Sequence, residues 1–208
     1  MPARLPVRVA SLLSEVRSCT QCADVLPLGP RPVFQFGPSA RLLIVGQAPG
    51  RRVHETGVPF NDPSGQRLRQ WLGVTPEVFY DPARVALLPM GFCFPGTGPS
   101  GDLPPRPECA ATWRARLLAE LHAVELTVVI GQYALAWHLP GERGSLTEVV
   151  QRGVDGGWES GREIAQEGVM ALPHPSPRNN RWLARNPWFE ERVVPRLQAR
   201  VAEVLGHG

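Results

Sequence analysis

Lysine is missing from this 208-residue chain: all 22 basic residues are arginine. The bias leaves nucleic-acid recognition open, because the guanidinium grips phosphate at two points. Long apolar runs are also missing. The longest, such as residues 126–131, are far too short to span a bilayer, which excludes a membrane-spanning helix. The amino terminus has no apolar core of the kind a signal peptide needs, so a cytoplasmic protein is expected. A strong overall charge is lacking as well. The net charge is only +3, which excludes charge alone as an argument for DNA binding. The charge is unevenly spread, however: residues 174–208 hold six Arg against three Glu, as much excess as the whole chain. Cysteine is scarce, at four residues, and in a cytoplasmic setting paired cysteines are ligands more readily than disulfides. There is no internal repeat and no evident domain boundary, so residues 1–208 read as one domain.

What the sequence does have is one organising stretch, Leu42-Leu43-Ile44-Val45-Gly46-Gln47-Ala48-Pro49-Gly50. Branched apolar residues mark a strand buried on both faces. It breaks into a Gly/Pro turn, which in an open α/β fold lies at the carboxyl edge of the sheet, where ligands bind. Gly46 and Gly50 let the backbone approach a ligand, and Pro49 stiffens the turn.

Around this stretch the patterns alternate. Apolar residues at helical spacing predict a helix over 6–18, followed by irregular chain over 26–39 and a first strand over 41–45. A long loop follows over 47–63, then a helix to Leu72 capped by Ser64 and stopped at Gly73. A short helical turn begins at Thr75-Pro76, and a second strand covers 85–90. Residues 92–107 form a Gly/Pro-rich loop, 108–121 a helix, 126–131 a third strand and 132–139 a helix. Ser145 and Glu148 fit a capping box, 154–168 is polar and Gly-rich, and 169–172 is a fourth strand. Asn186-Pro187 starts a long final helix. Strands alternating with helices predict an α/β fold, a three-layer α/β/α sandwich around a four-stranded, mostly parallel sheet.

Two further features carry chemistry. Cys19 and Cys22 form a C-x2-C pair, and Cys93 and Cys109 flank the loop after the second strand. None lies inside an apolar strand, which favours ligation over core filling. Four thiolates suit a structural zinc ion and a [4Fe–4S] cluster alike, and spacing does not separate the two. His174 lies between Pro173 and Pro175 at the end of the fourth strand, at the same sheet edge as the Gly46–Gly50 turn.

The Gly-Gln-Ala-Pro-Gly stretch, with Gly57-Val58-Pro59-Phe60, Pro63-Ser64-Gly65-Gln66 and His174-Pro175-Ser176 after it, resembles the uracil-DNA glycosylase superfamily. The likeness runs from about residue 19 to 201 and is closest to the iron–sulfur branch, family 4. The fuller His174-Pro175-Ser176-Pro177-Arg178-Asn179 is similar to the single-strand-selective branch. The resemblance implies a base-excision repair enzyme that flips a damaged base, uracil or a related deaminated one, and hydrolyses its N-glycosidic bond. It implies that His174 stabilises charge on the departing base and that Phe60 stacks on that base. Gly46, Ala48, Asn61 and Ser176 would face the substrate. Arg51, Arg52, Arg178, Asn179 and Arg181 would contact DNA, mostly at phosphates. The four-cysteine layout would hold a [4Fe–4S] cluster, with structural zinc as the alternative. The partner would be DNA carrying a damaged base, bound by a monomer.

Two positions depart from family 4. That branch has Glu where this chain has Gln47, and an amide neither accepts water's proton nor supplies negative charge, though it can orient a water. It also reads uracil with an Asn four residues before the third cysteine, which here is Pro89. Asp62 or Glu55 is then the candidate water-activating acid, with Asn61 and His54 as further polar candidates. The departures also keep two rivals in play. One is a damaged-DNA or nucleotide binding protein of the same fold with weak or no glycosylase activity. The other is a structural metal protein with a different ligand.

Overall fold

Four short apolar runs form the centre of the molecule. A computed structural model of the chain describes residues 5–99, 101–155 and 168–206. The strands β1 (Leu42–Val45), β2 (Val85–Leu87), β5 (Leu126–Ile130) and β6 (Val169–Leu172) form one sheet in the order β2-β1-β5-β6. Every neighbouring pair is parallel, with Leu42 opposite both Val85 and Leu126, and Thr127 opposite Val169. β1 is buried along its whole length, the pattern of a strand covered on both faces. A two-residue ladder, β3 (Thr97–Gly98) with β4 (Gly101–Asp102), forms a separate small hairpin.

Helices cover the sheet, giving the α/β/α layering expected. Helix α1 (Val7–Arg17) buries Val9, Leu12, Leu13 and Val16. Helix α3 (Pro63–Leu72) packs on the last helix, α10 (Val194–Gly206), and α10 reaches β1. Helices α7 (Gln132–His138) and α8 (Leu146–Asp155) pack on β5 and β6. The Ser145–Glu148 box caps α8, with the Ser145 amide donating to Glu148 and the Glu148 amide donating back to Ser145 Oγ. Among the described residues no helix is long and apolar enough to cross a membrane.

Several boundaries differ from the expected ones. The stretch 47–63 is not all loop: residues 51–56 form helix α2 (Arg51–Thr56), which hides only Val53 and His54 and so carries little periodic signal. Asp62, not Ser64, caps α3, accepting from the Gly65 amide at 2.8 Å. Thr75 caps the short α4 (Pro76–Phe79) as expected. The helix after the loop runs from α5 (Pro107–Cys109) through a π turn, Ala110–Arg114, into α6 (Ala115–Leu118). The wider turn lets the sequence neighbours Trp113 and Arg114 both be buried. The final helical region begins earlier than residue 186, with α9 (Asn180–Arg185). The chain breaks at Asn186-Pro187 and re-enters helix through a π turn at Phe189–Val193. Most of the polar stretch 154–168 lies outside the described residues.

Because the four strands are parallel, their carboxyl ends share one edge. The turn after β1, the segment Leu88-Pro89 after β2 and the Pro173-His174 segment after β6 therefore converge there. Backbone bonds fix the first two together: Met90 N–H donates to Gly46 O and Gly91 N–H to Gln47 O, each at 2.9 Å.

Candidate active site

At that edge lies a cavity of about 490 Å³. Its walls come from the Gly46–Gly50 turn, from Pro59, Phe60, Asp62 and Ser64, from Leu87 and Pro89, from Gly101 and Asp102, and from His174, Ser176, Arg178 and Asn179. The structure thus brings together Gly46, Gln47, Ala48, Phe60, Asp62, His174, Ser176, Arg178 and Asn179. It does not bring Asn61, Arg51, Arg52, Arg181, His54 or Glu55 to this cavity. Arg52 and Asn61 line an adjoining open groove that Asp62 shares. Arg51 lies over the Phe94 ring, and Arg181 and Glu55 are exposed. His54 is buried with its ring against Phe94 and its Nδ1 unpartnered.

Phe60 is held in an unusual way. Its φ is +53°, a conformation that costs a bulky residue on the order of 1–3 kcal/mol. The surroundings dictate it. A Cβ on Gly65 would lie 1.7 Å from Phe60 O, and Tyr80 Oη and Arg69 donate to the same carbonyl. The ring meets Phe79 edge-on at 6.0 Å and abuts Gly46, where a Cβ would be 3.2 Å from Phe60 Cζ. Phe60 thus presents its ring beside the turn that follows β1.

His174 lines the same cavity and is also fixed in place. Ser176 N–H donates to its Nδ1 at 3.2 Å, so in the neutral ring the proton sits on Nε2. Burial pushes the imidazole's pKa down, while the carboxylates of Asp62 and Asp102 pull it up; burial dominates, which favours the neutral form. Asn179 donates to His174 O at 2.7 Å. Arg67, which sequence reasoning passed over, reaches from α3 to bond Pro175 O, Ser176 O and Asn180 Oδ1. It clamps the loop that carries His174.

The two departures also find places. Gln47 does not stand free: its amide donates to Leu103 O at 3.2 Å. Pro89 lines the cavity and offers no side-chain hydrogen bond. Its carbonyl accepts from the buried Arg114, which also bonds Leu88 O and contacts His138 Nε2 at 2.6 Å.

All four cysteines line a second, smaller cavity between the end of α1, the loop after β2 and α5. Burial pushes the Cys93 thiol up to about 11 and the Cys109 thiol up to about 12. Trp113 Nε1 donates to Cys19 Sγ and Phe92 N–H to Cys109 Sγ. Among the described residues no three of His, Cys, Asp and Glu are grouped closely enough for a single metal ion.

A parallel α/β sheet with a conformationally constrained aromatic and a histidine lining one pocket at its carboxyl edge is the arrangement of an α/β protein that binds a ligand at the ends of its strands. The comparisons supply the family. The family model of the Uracil DNA glycosylase superfamily matches residues 34–198, and the chain belongs to that superfamily. The chain is also similar to the Type-4 uracil-DNA glycosylase of Thermotoga maritima, 27% identical over 184 residues that cover 86% of this chain and 84% of that protein.

Proposed function

We propose that the protein is a DNA glycosylase that removes uracil or a related deaminated base. The observation that carries this reading is the His174–Ser176 hydrogen bond. It leaves the Nε2–H free to donate across the pocket that Phe60 and the Gly46 turn enclose. A flipped base stacked on Phe60 offsets part of the cost of leaving the helix. As the glycosidic bond breaks, negative charge builds on the base, and a fixed donor from His174 stabilises it more than it stabilises the ground state. A neutral donor suits this work, because it needs no proton to be lost or gained. Arg178 at the pocket rim and Arg181 beyond it supply phosphate contacts that orient DNA without reading sequence.

Cys19, Cys22, Cys93 and Cys109 fit a [4Fe–4S] cluster. The four thiols sit on the walls of one cavity, where each can supply one thiolate to a cluster of four irons. N–H donors already point at two of the sulfurs, as in sites that carry negative charge. The cluster would supply a structural link between α1, the loop after β2 and α5.

A second reading, base sensing without cleavage, has one observation in its favour: the amide of Gln47 is tied to Leu103 O and brings no acid to the turn. The two readings separate when purified protein is incubated with oligonucleotides bearing uracil, hypoxanthine or xanthine. Alkali-labile abasic sites support the glycosylase; tight binding without them supports the sensor.

A further inference from the structure

Hydrolysis of a glycosidic bond needs a group that takes water's proton, and this chain carries an amide at residue 47. The β3–β4 hairpin answers the deficit. Asp102 sits on its second strand and lines the cavity, with Oδ2 lying 3.2 Å from where a Cβ on Gly50 would be. The carboxylate therefore rests directly against the turn that follows β1. Asp62, the other acid in the cavity, already has an oxygen committed to capping α3. Among the described residues the only hydrogen bond to the Asp102 carboxyl is from Thr97 Oγ1, at 3.4 Å. Two side chains also lie on the hairpin. Gln47 donates to Leu103 O, one residue beyond Asp102, and the Arg178 guanidinium lies so close on Gly101 that a Cβ there would clash at 1.9 Å.

Resting on the glycosylase reading, we propose that Asp102 is the catalytic carboxylate of this protein and that Gln47 is the positioning residue that holds its hairpin against the turn. In the reaction the C1′–N bond breaks and its electron pair leaves with the base. Water's oxygen forms the new bond to C1′, and water's proton passes to the Asp102 carboxylate. The departing base anion, held by His174, takes its proton from solvent. Before water arrives, the same negative charge faces the cationic sugar. The acid is thus carried on β4, which pairs antiparallel with β3, and the residue-47 side chain is the tether of that hairpin.

The test is single-turnover excision from a uracil oligonucleotide by the wild type, Asp102→Asn, Asp62→Asn and the double variant Gln47→Glu/Asp102→Asn. Asp102→Asn should lower the rate about 100-fold or more, the usual worth of a general base, with DNA affinity changed by less than about threefold. Asp62→Asn should cost less. The double variant should recover part of the loss, because it returns a carboxylate to the neighbouring turn. An Asp102→Asn enzyme within about threefold of wild type overturns the proposal while leaving the glycosylase reading intact. A wild type that releases no uracil, hypoxanthine or xanthine overturns the glycosylase reading itself, and the assignment with it.

Discussion

Gly65 sits so close beneath Phe60 that a Cβ on it would lie 1.7 Å from the Phe60 carbonyl oxygen and 2.7 Å from the Phe60 Cβ. This approach, near the start of α3, turns the aromatic ring into the pocket. Gly65→Ala should therefore damage both stability and site. The backbone must shift, so we expect a loss of about 2 kcal/mol or more, roughly 4–8 °C in Tm for a chain this size. Thermal unfolding checks the first effect. Binding of an oligonucleotide with a flipped-out uracil analogue checks the second and should weaken.

Acid should destabilise the fold through His138. Burial, reinforced by the Arg114 charge, pushes its pKa from the ordinary 6.5 down to about 3. Arg114 only donates, so His138 Nε2 accepts, and protonation would set two cations face to face. Between the two values the unfolded chain holds a proton that the folded chain lacks. Stability is therefore complete above about pH 6.5 and falls progressively as pH drops toward 3. His54 and His174, also pushed down, act in the same sense. Urea titrations at a series of pH values should show this slope, and His138→Gln, which keeps an acceptor for Arg114, should flatten it.

The cysteines should bind one centre. Protein purified without air should be brown, with broad visible absorption and about four irons per chain, the content of a [4Fe–4S] cluster. A colourless protein with one zinc would reject the cluster and keep the site. Cys19→Ser should lower thermal stability more than it lowers the rate per folded molecule, because the group ties together segments far apart in sequence.

DNA affinity should fall steeply with salt, since arginine and counterions compete for the same phosphates. Replacing Arg178 and Arg181 with Ala should make log Kd against log salt shallower by about one to two units, roughly one for each phosphate no longer neutralised. An unchanged slope would move the DNA surface elsewhere.

Much of this was legible in the sequence. The sheet strands announce themselves as branched apolar runs ended by Gly or Pro, and the parallel order follows from the helices between them. The Gly46 turn and the Pro173-His174-Pro175 segment read clearly because short motifs concentrate chemistry at strand ends. Asp102 did not, because a two-residue ladder in a Gly/Pro-rich stretch has no periodicity and a lone acid there looks like solvated loop. Arg67 was equally hidden: its partners lie more than a hundred residues away, and a helical arginine gives no sign of bonding carbonyls in a distant loop. The positive φ of Phe60 has no local signature either, since it is imposed by Gly65, Tyr80 and Arg69 after folding.

At the centre of the proposed reaction, His174 supplies the donor for the departing base. The most direct test is single-turnover release of base from the best substrate among uracil, hypoxanthine and xanthine oligonucleotides, comparing wild type with His174→Asn. The wild type should release base, and the variant should be slower by about 100-fold or more with DNA binding retained. Wild-type rates in His174→Asn, or tight binding of all three oligonucleotides with no abasic site from any, would contradict that role.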